Sequence, residues 1–139
     1  MKLGELEGTQ WSGTNELWLD PSGDEADKSE ATLQIEASKL SYTWSQEGTQ
    51  HEGSITWNED RAAFQDTFHA STPMALEHVA GSWALLDVEG TYPAPEGPPW
   101  GWRIYLSLRP GDEELVLQML NITPWGEDGR AVRMICKRA

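Results

Sequence analysis

From Leu40 to His69 the chain reads LSYTWSQEGTQHEGSITWNEDRAAFQDTFH. Short runs rich in Thr, Trp, Tyr and Phe alternate apolar with polar residues, and Gly, Asn and Asp clusters separate them. Successive side chains of a strand point to opposite faces, so such runs bury one face as strands. YTWSQ, GSITW and AFQDTFH therefore predict three successive antiparallel strands, with EGTQHEG and NEDRA as connections.

The same reading extends both ways along the chain. MKLGELEG predicts one turn of helix ending at Gly8, with Leu3 and Leu6 plugging one end of the fold. Gln10 to Leu19 is a strand with Trp11, Asn15, Leu17 and Leu19 on one face and Trp18 on the other. Gly13 in its middle predicts a bulge or bend. DPSGDEADK, Asp20 to Lys28, is an acidic loop whose acids lack EF-hand spacing. Glu30 to Ala37 aligns Ala31, Leu33, Ile35 and Ala37; the next strand aligns Leu40, Tyr42 and Trp44. Gly53 to Asn58 and Ala63 to Ala70 follow, the latter with Phe64, Asp66 and Phe68 opposing Gln65, Thr67 and His69. Ser71-Thr72-Pro73 predicts a short helix across Pro73 to His78. Gly81 to Tyr92 reads as a strand with Trp83 and Leu85 on the face of Asp87 and Glu89. PAPEGPP cannot continue a strand. Trp100 to Arg109 alternates most clearly. Pro110-Gly111-Asp112 is a turn. Glu114 to Thr123 is apolar on both faces, which predicts a barrel interior on one side and a covering element or partner subunit on the other. PWGEDG is a turn and Arg130 to Lys137 the last strand, with Val132, Met134 and Cys136 together.

About nine strands joined by short connections favour sequential antiparallel pairing. Closing such a meander removes its edges. The expectation is an all-β, antiparallel up-and-down β-barrel of about 8–10 strands with little helix, one domain over residues 1–139; a β-sandwich is the alternative.

Charge narrows the partners. The formal net charge is −13 over 139 residues. Residues 1–100 carry 18 acids and four bases; residues 101–139 carry five acids and six bases. Such a surface repels phosphate backbones and anionic leaflets, so neither nucleic acid nor a membrane is an expected partner. Cys136 is the one cysteine, which excludes an intramolecular disulfide and a cysteine metal site. Its place in AVRMICKRA predicts a buried, inert thiol. MKLGELEGTQW has no apolar run fit for a signal peptide and no segment is long enough to span a bilayer, so a cytoplasmic location is expected. The Asn121-Ile-Thr123 sequon is then a chance match.

Two stretches resemble a known fold. LGELEGTQWSGTNELWLDP is similar to the start of calycin-like barrels, where Gly-x-Trp near the first strand plugs the barrel floor; here the spacing is Gly8-Thr-Gln-Trp11, one residue longer. The central stretch resembles the DUF1579 family of uncharacterised proteins with the lipocalin-like fold. In that family a Tyr-x-Trp strand, an acidic-Gly turn, a second Gly and a final Asp-Ser/Thr-aromatic-His recur. The matching residues are Tyr42, Trp44, Glu47, Gly48, Gly53, Asp66, Thr67, Phe68 and His69. The resemblance covers residues 3–70 and implies a lipocalin-like barrel without implying a reaction.

Asp66 and His69 are the most chemical-looking pair. On an unbroken strand, residues three apart face opposite sides, so the two meet only if the strand ends between them. An inward Asp66 needs a partner, for which Arg103, Arg133 and a Trp indole are the candidates. His51, His69 and His78 lack close metal spacing, and a haem held by His69 or His78, as in the nitrobindin branch of similar barrels, is disfavoured; no metal or cofactor is assigned. Trp44, Trp57, Trp83 and Trp102 fall on apolar strand faces, where they fill the core or line a pocket. Tyr42, Arg103 and Gln118 are the polar groups placed to join them. The expected site is thus Tyr42, Trp44, Trp57, Asp66, Phe68, His69, Trp83, Trp102, Arg103 and Gln118, taking a small hydrophobic or aromatic ligand. The alternatives are an enzyme using Asp66 or His69 as general acid or base, and an interaction module forming a homodimer.

Overall fold

A computed structural model describes residues 2–20, 23–111 and 113–139. Pro21 and Ser22 of the acidic loop and Asp112 of the 110–112 turn lie outside the described residues. The strands are β1 (Gln10–Leu17), β2 (Asp27–Glu36), β3 (Lys39–Gln46), β4 (Thr49–Trp57), β5 (Arg61–Asp66), β6 (Ala70–His78), β7 (Leu86–Tyr92), β8 (Trp100–Arg109), β9 (Glu114–Ile122) and β10 (Asp128–Arg138). Their order, β1-β10-β9-β8-β7-β6-β5-β4-β3-β2, closes on itself with consecutive strands as neighbours. The expected closed, antiparallel, all-β barrel is what forms, and the sandwich alternative falls. β1 and β10 seal it, in register from Trp11–Arg138 to Leu17–Val132.

Alternation decides which residues fill the interior. Trp11, Asn15 and Leu17 from β1, Ala31, Leu33 and Ile35 from β2, and Leu40, Tyr42 and Trp44 from β3 are all buried. Ile104 and Leu106 from β8, Leu115, Leu117 and Met119 from β9, and Val132, Met134 and Cys136 from β10 complete the wall. Burying each large apolar side chain contributes about 1.5–3 kcal/mol. Burial also pushes the Cys136 thiol up to about 11, which keeps it unreactive. Gly13 marks a close approach rather than a bulge. A Cβ there would stand 2.0 Å from the Ile135 carbonyl oxygen across the β1–β10 seam.

The N-terminal 3₁₀ helix, Leu3–Leu6, closes one end. Leu6 is buried and Leu3 packs against the core. The Gly8 N–H donates to the Ile35 carbonyl at 2.7 Å, and the Ile35 N–H to Thr9 at 3.0 Å, which holds the helix to the end of β2.

Four elements differ from the sequence reading. Pro73 to His78 is part of β6, not a helix. Pro73 is tolerated because it falls at the register shift in the β5–β6 ladder, while the β6–β7 ladder is confined to Glu77–Glu89 and His78–Val88. The connection EGTQHEG shrinks to two residues, Glu47 and Gly48, at φ 50° and 80°. Such a turn matches strand twist and lets Thr49–Glu52 join β4. β7 starts only at Leu86, so Trp83 lies in a loop and is fully exposed. β5 stops at Asp66, leaving residues 67–69 in a turn. No helix among the described residues is long and apolar enough to cross a membrane.

Candidate functional site

The up-and-down order places the β3–β4 and β5–β6 turns, the 93–99 and 123–127 connections and the β1–β2 loop at the end opposite the 3₁₀ helix. An aromatic cluster collects beneath these connections. Trp44 stacks on His51 at 4.8 Å between ring centres and meets Phe68 edge-on at 5.3 Å. His69 lies between Trp44, at 5.8 Å, and Trp102, at 5.3 Å. Phe64 and Tyr92 extend the cluster from Trp102. The Tyr92 hydroxyl bonds the Asn121 carboxamide oxygen.

Asp66 organises the cluster from below. Strand pairing aligns Tyr42, Gly53 and Asp66 on β3, β4 and β5. A Cβ at Gly53 would stand 2.3 Å from the Tyr42 hydroxyl, so only glycine lets the phenol cross β4. Tyr42 donates to Asp66 Oδ2. The Trp44 indole N–H reaches the same oxygen at 3.4 Å. The backbone N–H groups of Phe68 and His69 donate to Oδ1 at 2.7 and 3.0 Å, so Asp66 also fastens the turn that follows it.

That turn answers the parity question. Because β5 breaks after Asp66, the His69 ring folds back and its Nδ1 stands 3.5 Å from Asp66 Oδ1. This is a polar contact longer than a formed hydrogen bond. Burial alone would raise the Asp66 pKa; His69, Tyr42 and the Phe68 N–H override it and hold the carboxyl at about 2. Burial and the adjacent Asp66 carboxylate raise Tyr42 well above the usual phenol range, which keeps it a donor.

Tyr42, Trp44, Asp66, Phe68, His69 and Trp102 thus meet at one site. Phe68 arrives from the turn rather than from a strand face, and is partly exposed. The other four expected residues do not converge there. Trp57 ends β4 at the opposite, helix-capped end. Trp83 points into solvent. Arg103 faces outward and clamps Asp87 with two hydrogen bonds, at 2.8 and 2.6 Å, so it cannot partner Asp66. Gln118 also faces outward and accepts from the Tyr105 hydroxyl. Strand parity is the reason: Trp102 and Met119 take the inward positions next to Arg103 and Gln118. His51, Tyr92 and Asn121 were missed. His51 was legible, since counting back in twos from Ile55 through Gly53 puts it on the inner face once Thr49–Glu52 is a strand.

Chemically, the Asp66 carboxylate is saturated with donors, so it orients its neighbours and is poorly placed to take a proton itself. His69 offers an imidazole held between aromatic rings. Among the described residues, no three His, Cys, Asp or Glu side chains are grouped to hold a metal ion. A shallow groove of 590 Å³ on the outer face of β2 to β5 is lined mainly by short polar side chains such as Thr32, Ser41, Thr43, Ser54 and Thr67, and it also touches Tyr42 and Asp66. Neither the models of known protein families nor the curated proteins include a match to this chain.

Proposed function

We propose that this barrel binds a small apolar or aromatic molecule at the end opposite its 3₁₀ helix, over the cluster of Trp44, His51, Phe68, His69 and Trp102. One observation carries the reading. Of the exposed large apolar side chains among the described residues, Leu19, Phe68, Trp83 and Trp125, three lie in the connections around that end. Apolar groups grouped at a rim over an aromatic floor are a common ligand-site composition, whereas singly scattered ones need no explanation. The acidic surface favours a neutral or cationic ligand over an anion. Membership of the DUF1579 family, with its lipocalin-like barrel, is part of the same proposal and rests on the residues matched between positions 3 and 70.

The test is a thermal-shift and tryptophan-quenching screen with naphthalene derivatives, fatty alcohols and haem. Binding is expected to quench Trp44 or Trp102, to weaken at least fivefold on Phe68→Ala, and to be indifferent to Trp83→Ala. A screen with no response, or one abolished only by Trp83→Ala, rejects the site. Mass measured from low to high micromolar concentration separates a ligand rim from the homodimer alternative, which predicts association through the same side chains.

The second reading, an enzyme, is favoured by the Asp66–His69 contact alone. Here His69 is the acid or base and Asp66 its positioning residue. Once a turnover is found, Asp66→Asn should shift its pH profile, and His69→Gln should abolish it. A turnover indifferent to both rejects this reading.

A further inference from the structure

Asn15 is an anomaly in the barrel wall. It lies inward on β1, opposite Met134 on β10 and Ser29 on β2. It is wholly buried, and among the described residues neither its carboxamide nitrogen nor its oxygen has a hydrogen-bond partner. A buried amide left in this state is costly, and native proteins rarely keep one without a use. Met, Leu or Val would fill the position without that cost, as Met134 and Leu17 do beside it. A second orphan donor enters the interior from β8, where the buried Trp102 indole N–H also lacks a partner. Trp18 and His69 also carry an unpartnered ring nitrogen, but the Trp18 indole lies on the outer side under the guanidinium of Arg130 and His69 Nδ1 is turned to the Asp66 carboxylate at 3.5 Å, so neither belongs to this set.

We propose that Asn15 and Trp102 form an inner polar anchor that receives the oxygen of a neutral carbonyl compound, a ketone, ester or amide carried on an apolar body. The proposal deepens the ligand reading above and rests on it. Its chemistry follows from the donors. An indole N–H can only donate, and the carboxamide offers two N–H groups, so the matching head is an acceptor. A carboxylate is disfavoured: the buried polar residues described are Asn15, Asp66 and Asp87, none of them cationic. An anion taken to that depth would lack a counter-charge and would cross a surface of net charge −13. A hydrocarbon would leave both anchors unpaired. The ladder between β6 and β7 holds only the pairs Glu77–Glu89 and His78–Val88 and stops short of the rim, although Gly90 still packs against Ala75 and Leu76. Nearer the rim, Met74 and Tyr92 are half-buried against the core, and a methionine there repacks at low cost to admit a ligand.

Three probes of one shape separate the possibilities: 2-acetonaphthone, 2-ethylnaphthalene and 2-naphthoate, titrated by tryptophan quenching and calorimetry. Wild type should bind the ketone about fivefold or more tightly than the hydrocarbon, one hydrogen bond's worth, and bind the carboxylate weakest. Asn15→Leu should erase the preference for the ketone while leaving the hydrocarbon bound, and should raise the ligand-free Tm by about 3–6 °C because an unpaired amide is removed. Trp102→Phe keeps the ring, loses the N–H, and should reduce the same preference; it serves as the independent arm if Asn15→Leu fails to fold. Equal binding of ketone and hydrocarbon by wild type overturns the anchor, and so does a preference that survives in Trp102→Phe and in any folded Asn15→Leu. If wild type binds none of the three, the ligand site itself falls along with the anchor.

Discussion

Gly53 is the residue on which the interior network turns. Tyr42, Trp44 and two backbone amides converge on Asp66 only because β4 has no side chain where the phenol passes. Gly53→Ala would force the Tyr42 ring aside and strand a buried carboxylate short of a donor. It should lower stability by about 2–4 kcal/mol in urea unfolding. Tyr42→Phe removes the same donor without a clash, and about 1–3 kcal/mol is expected. The ordering of the two variants checks the steric part of the argument, since a milder Gly53→Ala would contradict it. Asp66 also makes stability depend on pH. Its folded pKa of about 2 lies below the 3.8 usual for an aspartate carboxyl. A depressed carboxylate stabilises the fold above its unfolded pKa and loses that contribution as pH falls through the folded one. About 2 kcal/mol should therefore disappear between pH ~4.5 and ~2, and Asp66→Asn should flatten the acid limb of the curve.

Among the elements, the β1–β10 seam matters most, because it joins the two ends of the chain and alone turns a sheet into a barrel. The seam is tight at Gly13, where the Ile135 carbonyl occupies the space a side chain would need. Gly13→Val should open it. Amides of β1 and β10 should then lose hydrogen-exchange protection ahead of those of β3 and β4. Uniform loss of protection would mean that the seam is not a separate unit. On the outer side of β7 and β8, Asp87 is buried under Arg103 and the Ser82 hydroxyl. Burial would raise its pKa, but Arg103 and Ser82 lower it. Arg103→Ala should leave that carboxylate underpartnered, loosen the 79–85 loop and cost about 1–3 kcal/mol, with no effect on ligand binding. Reduced binding in that variant would return Arg103 to the site.

At the scale of the molecule, closure between first and last strands means that the decisive contacts are far apart in sequence. Loop closure must come before those contacts reward it, so folding should be slow for this size, in the range of milliseconds to seconds by stopped-flow fluorescence of the eight Trp residues. A microsecond phase carrying the full amplitude would contradict this. The distribution of exposed apolar groups belongs to this scale too. Leu19, Phe68 and Trp125 come from three separate connections, and only the closed barrel brings them to one end.

What the sequence determined by itself is the alternation, and with it the class. A period of two in stretch after stretch, punctuated by turn residues, allows one face of each strand to be buried and leaves a closed antiparallel sheet as the economical solution. It also determined that Tyr42 shares a face with Trp44, Trp102 with Ile104, and Met134 with Cys136, because local parity is enough for that, while leaving open which faces point inward. Only the tertiary structure decided what parity cannot reach. Where a strand ends is set by competing hydrogen bonds: Asp66 caps the turn after it, and that single break turns His69 from the far face to a neighbour. Whether Pro73 starts a helix or sits in a strand depends on whether another strand needs its missing N–H, and the ladders beside it do not. Arg103 and Gln118 read as plausible pocket residues until their faces were fixed by strands distant in sequence. Asn15 looked like one more position on an apolar face, and only closure of the barrel left its carboxamide buried without a partner among the described residues.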